Sequence, residues 1–153
     1  MAAAPATGSV VMGSGYSFAV PEGWTVPEEP PLPELDSMAL NPGDTDGFSD
    51  NVNVVLSPMK WITPGHIESM VVGELERSGA RDVRTRTRLM IAGAASAHLS
   101  AVLSSEGVDY VVEQYFVCTD EQTFVVTFSF STTVPELDRD ILSESVLASW
   151  LWA

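Results

Sequence analysis

The sequence predicts an α+β domain, a twisted antiparallel β-sheet of about six to eight strands flanked by helices. Four successive runs of alternating or near-alternating polarity carry this expectation: Asp82 to Ile91, Ala95 to Ser104, Asp109 to Thr119 and Thr123 to Ser131. Alternation at period two is what a strand with one buried face requires. The runs are separated by only three or four residues, which suits hairpin turns and hence an antiparallel meander. In the last run Phe124, Val126, Phe128 and Phe130 share one face, and such a row demands a covering layer. Two further stretches carry helix signals, one before the meander and one after it.

From the start of the chain, Met1 to Gly8 is small and polar and reads as a flexible leader. Residues 9–153 then form a single domain without repeats, low-complexity tracts or linkers. Ser9 to Met12 is a short strand, and Gly13-Ser14-Gly15 turns it. Tyr16, Phe18 and Val20 alternate as a second strand, ended by Pro21-Glu22-Gly23-Trp24. Val26 to Asp36 holds four prolines, which remove amide donors, so it is loop. Ser37 to Leu40 is another strand, broken at Asn41-Pro42-Gly43. An acidic loop follows from Asp44 to Asn51, then Val52, Val54 and Leu56 alternate in a strand ended by Pro58.

Thr63-Pro64 starts the first helix, with threonine as N-cap and proline at the first helical position. Ile67, Met70, Val71 and Leu75 line one face of it. Ser78-Gly79 stops it, glycine supplying the left-handed conformation. After the meander, Thr133-Val134-Pro135-Glu136 reads as a capping box. Leu137, Ile141, Val146, Trp150 and Leu151 then form an apolar stripe, the expected cover for the phenylalanine face.

Composition narrows the function classes. The 153 residues suffice for one substantial core, and 45% hydrophobic with 18% charged residues is globular. No apolar run reaches the ~20 residues of a membrane span. Met1 to Thr7 lacks the charged and apolar parts of a signal peptide, so the expected location is the cytoplasm unless a leader was removed. Seven basic and 21 acidic residues give a net charge of −14, which disfavours nucleic acid and anionic membranes as partners. Cys118 is the only cysteine, so no internal disulfide forms.

The residues of known chemistries do not assemble. His66 and His98 lie far apart, without metal-ligand spacing, and neither a metal nor a cofactor is expected. His98 shares a strand face with Ser96 and Ser100 and is read as solvated. Asp44-Thr45-Asp46-Gly47 fails as an EF-hand, because Pro42 and Asn53 fall where ligands belong. Asp44, Asp46 and Asp50 stay as a candidate acidic site, for a weakly held calcium ion or a partner. Gly13-Ser14-Gly15 is no dinucleotide fingerprint, and there is no P-loop or Gly-x-Ser-x-Gly elbow. Glu113 and Asp109 share a strand face and read as a solvated pair. With no nucleophile, base and oxyanion donors in view, the chain is not expected to be an enzyme.

The charges are polarised. Residues before Lys60 include acids and no base, whereas Arg84, Arg86 and Arg88 alternate along one predicted strand face. This stripe either pairs with acids such as Glu106 and Glu113 on neighbouring strands or docks an acidic partner. Trp61, between strand and helix, is a candidate contact anchor. Trp61, Arg84, Arg86, Arg88, Asp44, Asp46 and Asp50 are therefore the candidate partner-binding residues.

Three segments resemble a known family. Tyr16 to Trp24 (Tyr-Ser-Phe-Ala-Val-Pro-Glu-Gly-Trp) resembles the F-x-x-P-x-G-W opening of PsbP-like domains. Asp50-Asn51-Val52-Asn53-Val54 resembles the strand before their first helix, and Ile91-Ala92-Gly93-Ala94-Ala95 their I-x-G-x-x-A hairpin. The actinobacterial LpqN/LpqT lipoproteins look most similar; the Ran-binding Mog proteins, DcrB and Eag-type effector chaperones are more distant. The resemblance implies an antiparallel sheet sandwiched by helices and a non-enzymatic, protein-binding role. LpqN-type members carry an acylated cysteine near their start, whereas Cys118 lies in a predicted strand. The resulting expectation is a protein-binding module, monomeric or weakly dimeric, such as an accessory, chaperone or immunity protein of a bacterial secretion or toxin system. The alternative is a small-ligand carrier with a cleft between sheet and helices near Trp61 or Tyr115.

Overall fold

The computed structural model describes residues 3–43 and 47–153. Its strands are β1 (Val10–Met12), β2 (Tyr16–Ala19), β3 (Ser37–Leu40), β4 (Asn51–Ser57), β5 (Arg81–Arg86), β6 (Met90–Ile91), β7 (Ala94–Ser105), β8 (Val108–Cys118), β9 (Thr123–Ser131) and β10 (Leu151–Trp152). Helix α1 (Pro64–Arg77) lies between β4 and β5, and α2 (Glu136–Ala148) between β9 and β10. Seven strands make an antiparallel sheet in the order β3-β4-β9-β8-β7-β5, with β6 also on β7. A separate three-stranded sheet has the order β1-β2-β10. The α+β expectation holds, and the meander forms as β7-β8-β9.

Each face of the large sheet has its own core. On one, Phe124, Val126, Phe128 and Phe130 meet Phe18, Val146, Leu147 and Trp150. Trp150 stacks on Tyr16 at 4.5 Å between ring centroids, so the small sheet and the residue after α2 supply much of the roof. On the other face, Ala97, Leu99 and Phe116 pack against Ile67 and Val71 of α1. The α1 signals act as read: the Thr63 side chain accepts from His66 N, Pro64 opens the helix, and Gly79 follows at φ 93°. Within the segment ahead of β1, Ala6 N donates to Ser145 O at 2.9 Å.

Three expectations fail. The run from Asp82 to Ile91 divides into β5 and β6, leaving Thr87 to Leu89 outside strand. From Arg86↔His98 to Met90↔Ala95, four steps on one side oppose three on β7, so one extra residue is absorbed there. The capping box does not form: Pro135 is the N-cap, Thr133 turns to the Ser131 hydroxyl, and Glu136 turns to Arg84. The apolar stripe on α2 also fails, since Leu137 is 70% and Ile141 59% exposed. The helix instead buries Arg139 and Ser143 in its first turns and Val146 and Leu147 in its last. Its N-terminal half covers a polar part of the sheet, so its inner face is polar there.

Replacing Phe128 with alanine should remove about 3–5 kcal/mol of stability in urea unfolding, the cost of emptying an aromatic site in a packed core. Leu137→Ala should change it by no more than about 0.5 kcal/mol. A larger loss at Leu137 than at Phe128 would contradict this assignment of faces.

Candidate functional site

The polar patch under α2 is centred on Glu113, which has no exposed surface. Hairpin register places Ser100 opposite Glu113 and His98 opposite Tyr115 on the inner face. His98 Nε2 meets Glu113 Oε1 at 2.7 Å, and Arg86 Nη1 donates to the same oxygen at 2.9 Å. Ser100 Oγ and Arg139 Nε donate to Oε2 at 2.9 and 3.0 Å. Arg86 also donates to both oxygens of Asp140, at 3.3 and 2.7 Å. Burial pushes the Glu113 carboxyl up, but hydrogen bonds from His98 and Ser100, the His98 charge and Arg139 together hold it below the usual glutamate range.

Two sequence readings are corrected here. His98 is buried beneath α2 and stacks on Tyr115 at 4.0 Å, so it is not a solvated residue. Glu113 and Asp109 are not a solvated pair: Asp109 lies at the exposed rim with Arg81 at 2.7 Å, while Glu113 is enclosed.

His98, Glu113 and Asp140 bring three ligand atoms within 4.8 Å of one another, a spacing compatible with a metal ion. The donor chemistry fits one poorly. Arg86 bonds both carboxylates, so a guanidinium already occupies the place a cation would take. The same saturation disfavours acid–base chemistry: each Glu113 oxygen already has two partners, and a general base needs a free lone pair directed at substrate. Tyr115 is enclosed, and burial with the nearby Glu113 charge pushes its hydroxyl far up. The cluster is a structural clamp joining α2, β5, β7 and β8.

The arginine stripe does not keep to one face. Arg84 pairs with Glu136, and Arg86 with Glu113 and Asp140, all on the α2 side. Arg88 lies past the end of β5 and pairs with Glu68 of α1 at 2.7 Å, because the extra residue reverses the phase. Glu106 occupies a turn at φ 51° and makes none of these pairs. Arg139, Glu136 and Asp140 are the members of this cluster that the sequence reading missed. An arginine one turn into an otherwise amphipathic helix is the signal that marks Arg139.

Asp44 and Asp46 lie outside the described residues. The Asp50 carboxylate turns inward to accept from Ser131 N at 2.9 Å, and burial raises its pKa.

Trp61 stands apart from all of these. It is 74% exposed and has φ 58°, a left-handed conformation that a bulky residue adopts at a cost of roughly 1–2 kcal/mol. Thr123 Oγ1 anchors the loop through Met59 O at 3.0 Å. Met59, Lys60, Trp61, Ile62, Thr63 and His66 line an open cleft of ≈ 340 Å³ at the start of α1.

No protein-family model and no curated protein matches the chain. Solved structures do. LpqN of Mycobacterium tuberculosis, involved in cell envelope biogenesis, has TM-score 0.62 at 16% identity, over 90% of this chain and 83% of that one. Cyanobacterial PsbP (CyanoP) of Synechocystis sp. PCC 6803 has TM-score 0.62 at 13% identity, over 96% and 95%. The Saccharomyces cerevisiae Ran-binding protein Mog1p has TM-score 0.63 at 10% identity, over 95% and 96%. The chain has the PsbP/Mog-like fold. It spans about half, 48%, of a Bacteroides thetaiotaomicron protein with TM-score 0.57. At these identities the PsbP/Mog-like resemblance is one of architecture.

Glu113→Gln should cost about 3–5 kcal/mol in urea unfolding at neutral pH, since it leaves Arg86 and Arg139 facing a neutral side chain. The depressed Glu113 value also sets a pH dependence. Its contribution is complete above the ordinary glutamate pKa of about 4.3 and is lost as the pH falls through the lower folded value. Unfolding free energies across the acid range should show that component in the native protein and not in Glu113→Gln; equal slopes would exclude it.

Proposed function

We propose that the chain is a non-enzymatic protein-binding module that docks its partner on the Trp61 loop. The observation that carries this reading is the exposed Trp61 ring at φ 58°. Strain at a bulky residue persists only where the surroundings impose it, and such positions cluster at ligand clamps. A solvated tryptophan beside Met59 offers the aromatic anchor typical of interface hot spots. Charge supports the choice. Five of the seven basic residues, Arg81, Arg84, Arg86, Arg88 and Arg139, form ion pairs within the domain. Among the described residues, Lys60 makes no ion pair and adjoins the ring, which suits a partner segment combining an acidic residue with a large apolar one.

An accessory, chaperone or immunity role in a bacterial secretion or toxin system is the biological setting we propose, with the cytoplasm as its place. No described helix is long and apolar enough to cross a membrane. The small-ligand carrier draws less support, because the cleft at Trp61 is open and Tyr115 is packed between His98 and Phe128.

A photo-reactive amino acid at position 61, expressed in the native host, should cross-link to one protein partner. Trp61→Gly should lose that partner yet fold at least as stably, since glycine relieves the positive φ. Recovery of the same partner by Trp61→Gly would remove the loop from the interaction.

A further inference from the structure

More positive charge converges on Glu136 than one carboxylate takes up. Arg84 Nη2 donates to Glu136 Oε1. Arg86 Nη1 and Arg139 Nη2 stand 3.8 and 4.0 Å from the same oxygen, too far for hydrogen bonds. Arg86 is committed to Glu113 and Asp140. Arg139 is only 8% exposed, with Nε donating to Glu113 and Nη1 to Val134 O; its Nη2 makes no hydrogen bond among the described residues. Helix α2 opens beside these groups. Its N-cap is Pro135, which has no side-chain acceptor, so the first-turn N–H groups are uncapped. The Glu136 side chain that covers this place is itself 46% exposed.

The local field favours an anion although the chain carries a net charge of −14. The hydrogen bond from Arg84 and the charge of Arg86 hold the Glu136 carboxyl below the usual glutamate range. This holds with Asp138 in the same helical turn and Asp82 lining the adjoining cleft. The cleft has a volume of ≈ 370 Å³, and Arg84 and Arg139 line it together with Val83, Ala101, Val102 and Val111. Two guanidiniums beside apolar walls suit an anionic head on a compact apolar body. A carboxylate ligand would meet a tethered competitor of its own kind and lose to its high effective concentration. A phosphate monoester has three acceptor oxygens and a charge of about −1.5 to −2, so it can bond Arg84 and Arg139 Nη2 together.

We propose that the start of α2 and the adjoining cleft between β5 and β7 form a binding site for a small phosphate monoester with an apolar substituent, which Glu136 closes from within the chain. The phosphate displaces the Glu136 carboxylate from Arg84, takes the free Nη2 of Arg139 and faces the uncapped turn of α2. The displaced carboxylate passes to water, at little cost for a half-exposed ion pair. The site shares no residue with the Trp61 loop.

Titration of the full chain with phenyl phosphate, followed by NMR at the amides of residues 136–138 and the guanidinium groups of Arg84 and Arg139, tests this. The wild type should bind weakly. Glu136→Gln removes the competitor and should tighten binding about tenfold. Asp138→Asn removes the same charge from the same turn and should change binding by less than about twofold. Arg84→Gln should lose binding in the wild-type and Glu136→Gln backgrounds alike, with unchanged thermal stability. Inorganic phosphate should bind the same residues more weakly than phenyl phosphate, since it leaves the apolar walls empty. Trp61→Gly should titrate as the wild type does, which separates this site from the docking loop. Equal tightening by Asp138→Asn and Glu136→Gln, binding that survives Arg84→Gln, or equal affinity for the two phosphates overturns the proposal.

Discussion

The buried carboxylate of Glu113 constrains more of this molecule than any other single group. An unpaired charge in that position would cost several kcal/mol, so cations and donors must be brought to it from elsewhere in the chain. Arg139 comes from α2, Arg86 from the edge strand β5, and His98 and Ser100 from the neighbouring strand β7. Directing Arg139 inward fixes the rotation of α2 about its own axis. Leu137 and Ile141, two residues to either side, are then turned about 200° away and face water. The orientation of the closing helix thus follows from one ionised side chain rather than from the apolar stripe along it.

The same demand decides what the surface has left to offer. Arginine is the cation suited to planar carboxylates, and this domain uses its arginines largely on its own acids. A row that looks like a docking stripe in one dimension is divided in three dimensions between two helices. Two apolar features stand out at the surface: a strained tryptophan at the entrance to α1, and exposed side chains on the outer face of the small sheet. Lys60 adds the one cation beside the tryptophan that makes no ion pair among the described residues.

Much of the architecture was legible before any coordinates. Period-two alternation located β7, β8 and β9 to within a residue at each end, and Thr63-Pro64 with Ser78-Gly79 bounded α1. These signals are local, so the chain carries them in adjacent residues. The candidate site was legible only in pieces. Trp61 was named because it sits at a strand–helix junction. Arg86 and Glu113 were paired as one option. His98 was misread because a histidine among serines looks solvated, whereas here it is buried, with Asp140 of a distant helix close by. Thr133 and Glu136 had the spacing of a cap, yet the stronger pairing of Glu136 with Arg84 won.

By itself the sequence determined the elements: where the backbone alternates, where it winds, and where proline and glycine interrupt it. Those are properties of neighbouring residues and of backbone sterics. Only the tertiary structure decided which face of α2 is buried, to which helix each arginine belongs, and that the small sheet exposes large apolar side chains. Each of these depends on one-residue differences in register and on partners tens of residues away, and Coulomb attraction and burial act there through space rather than along the chain.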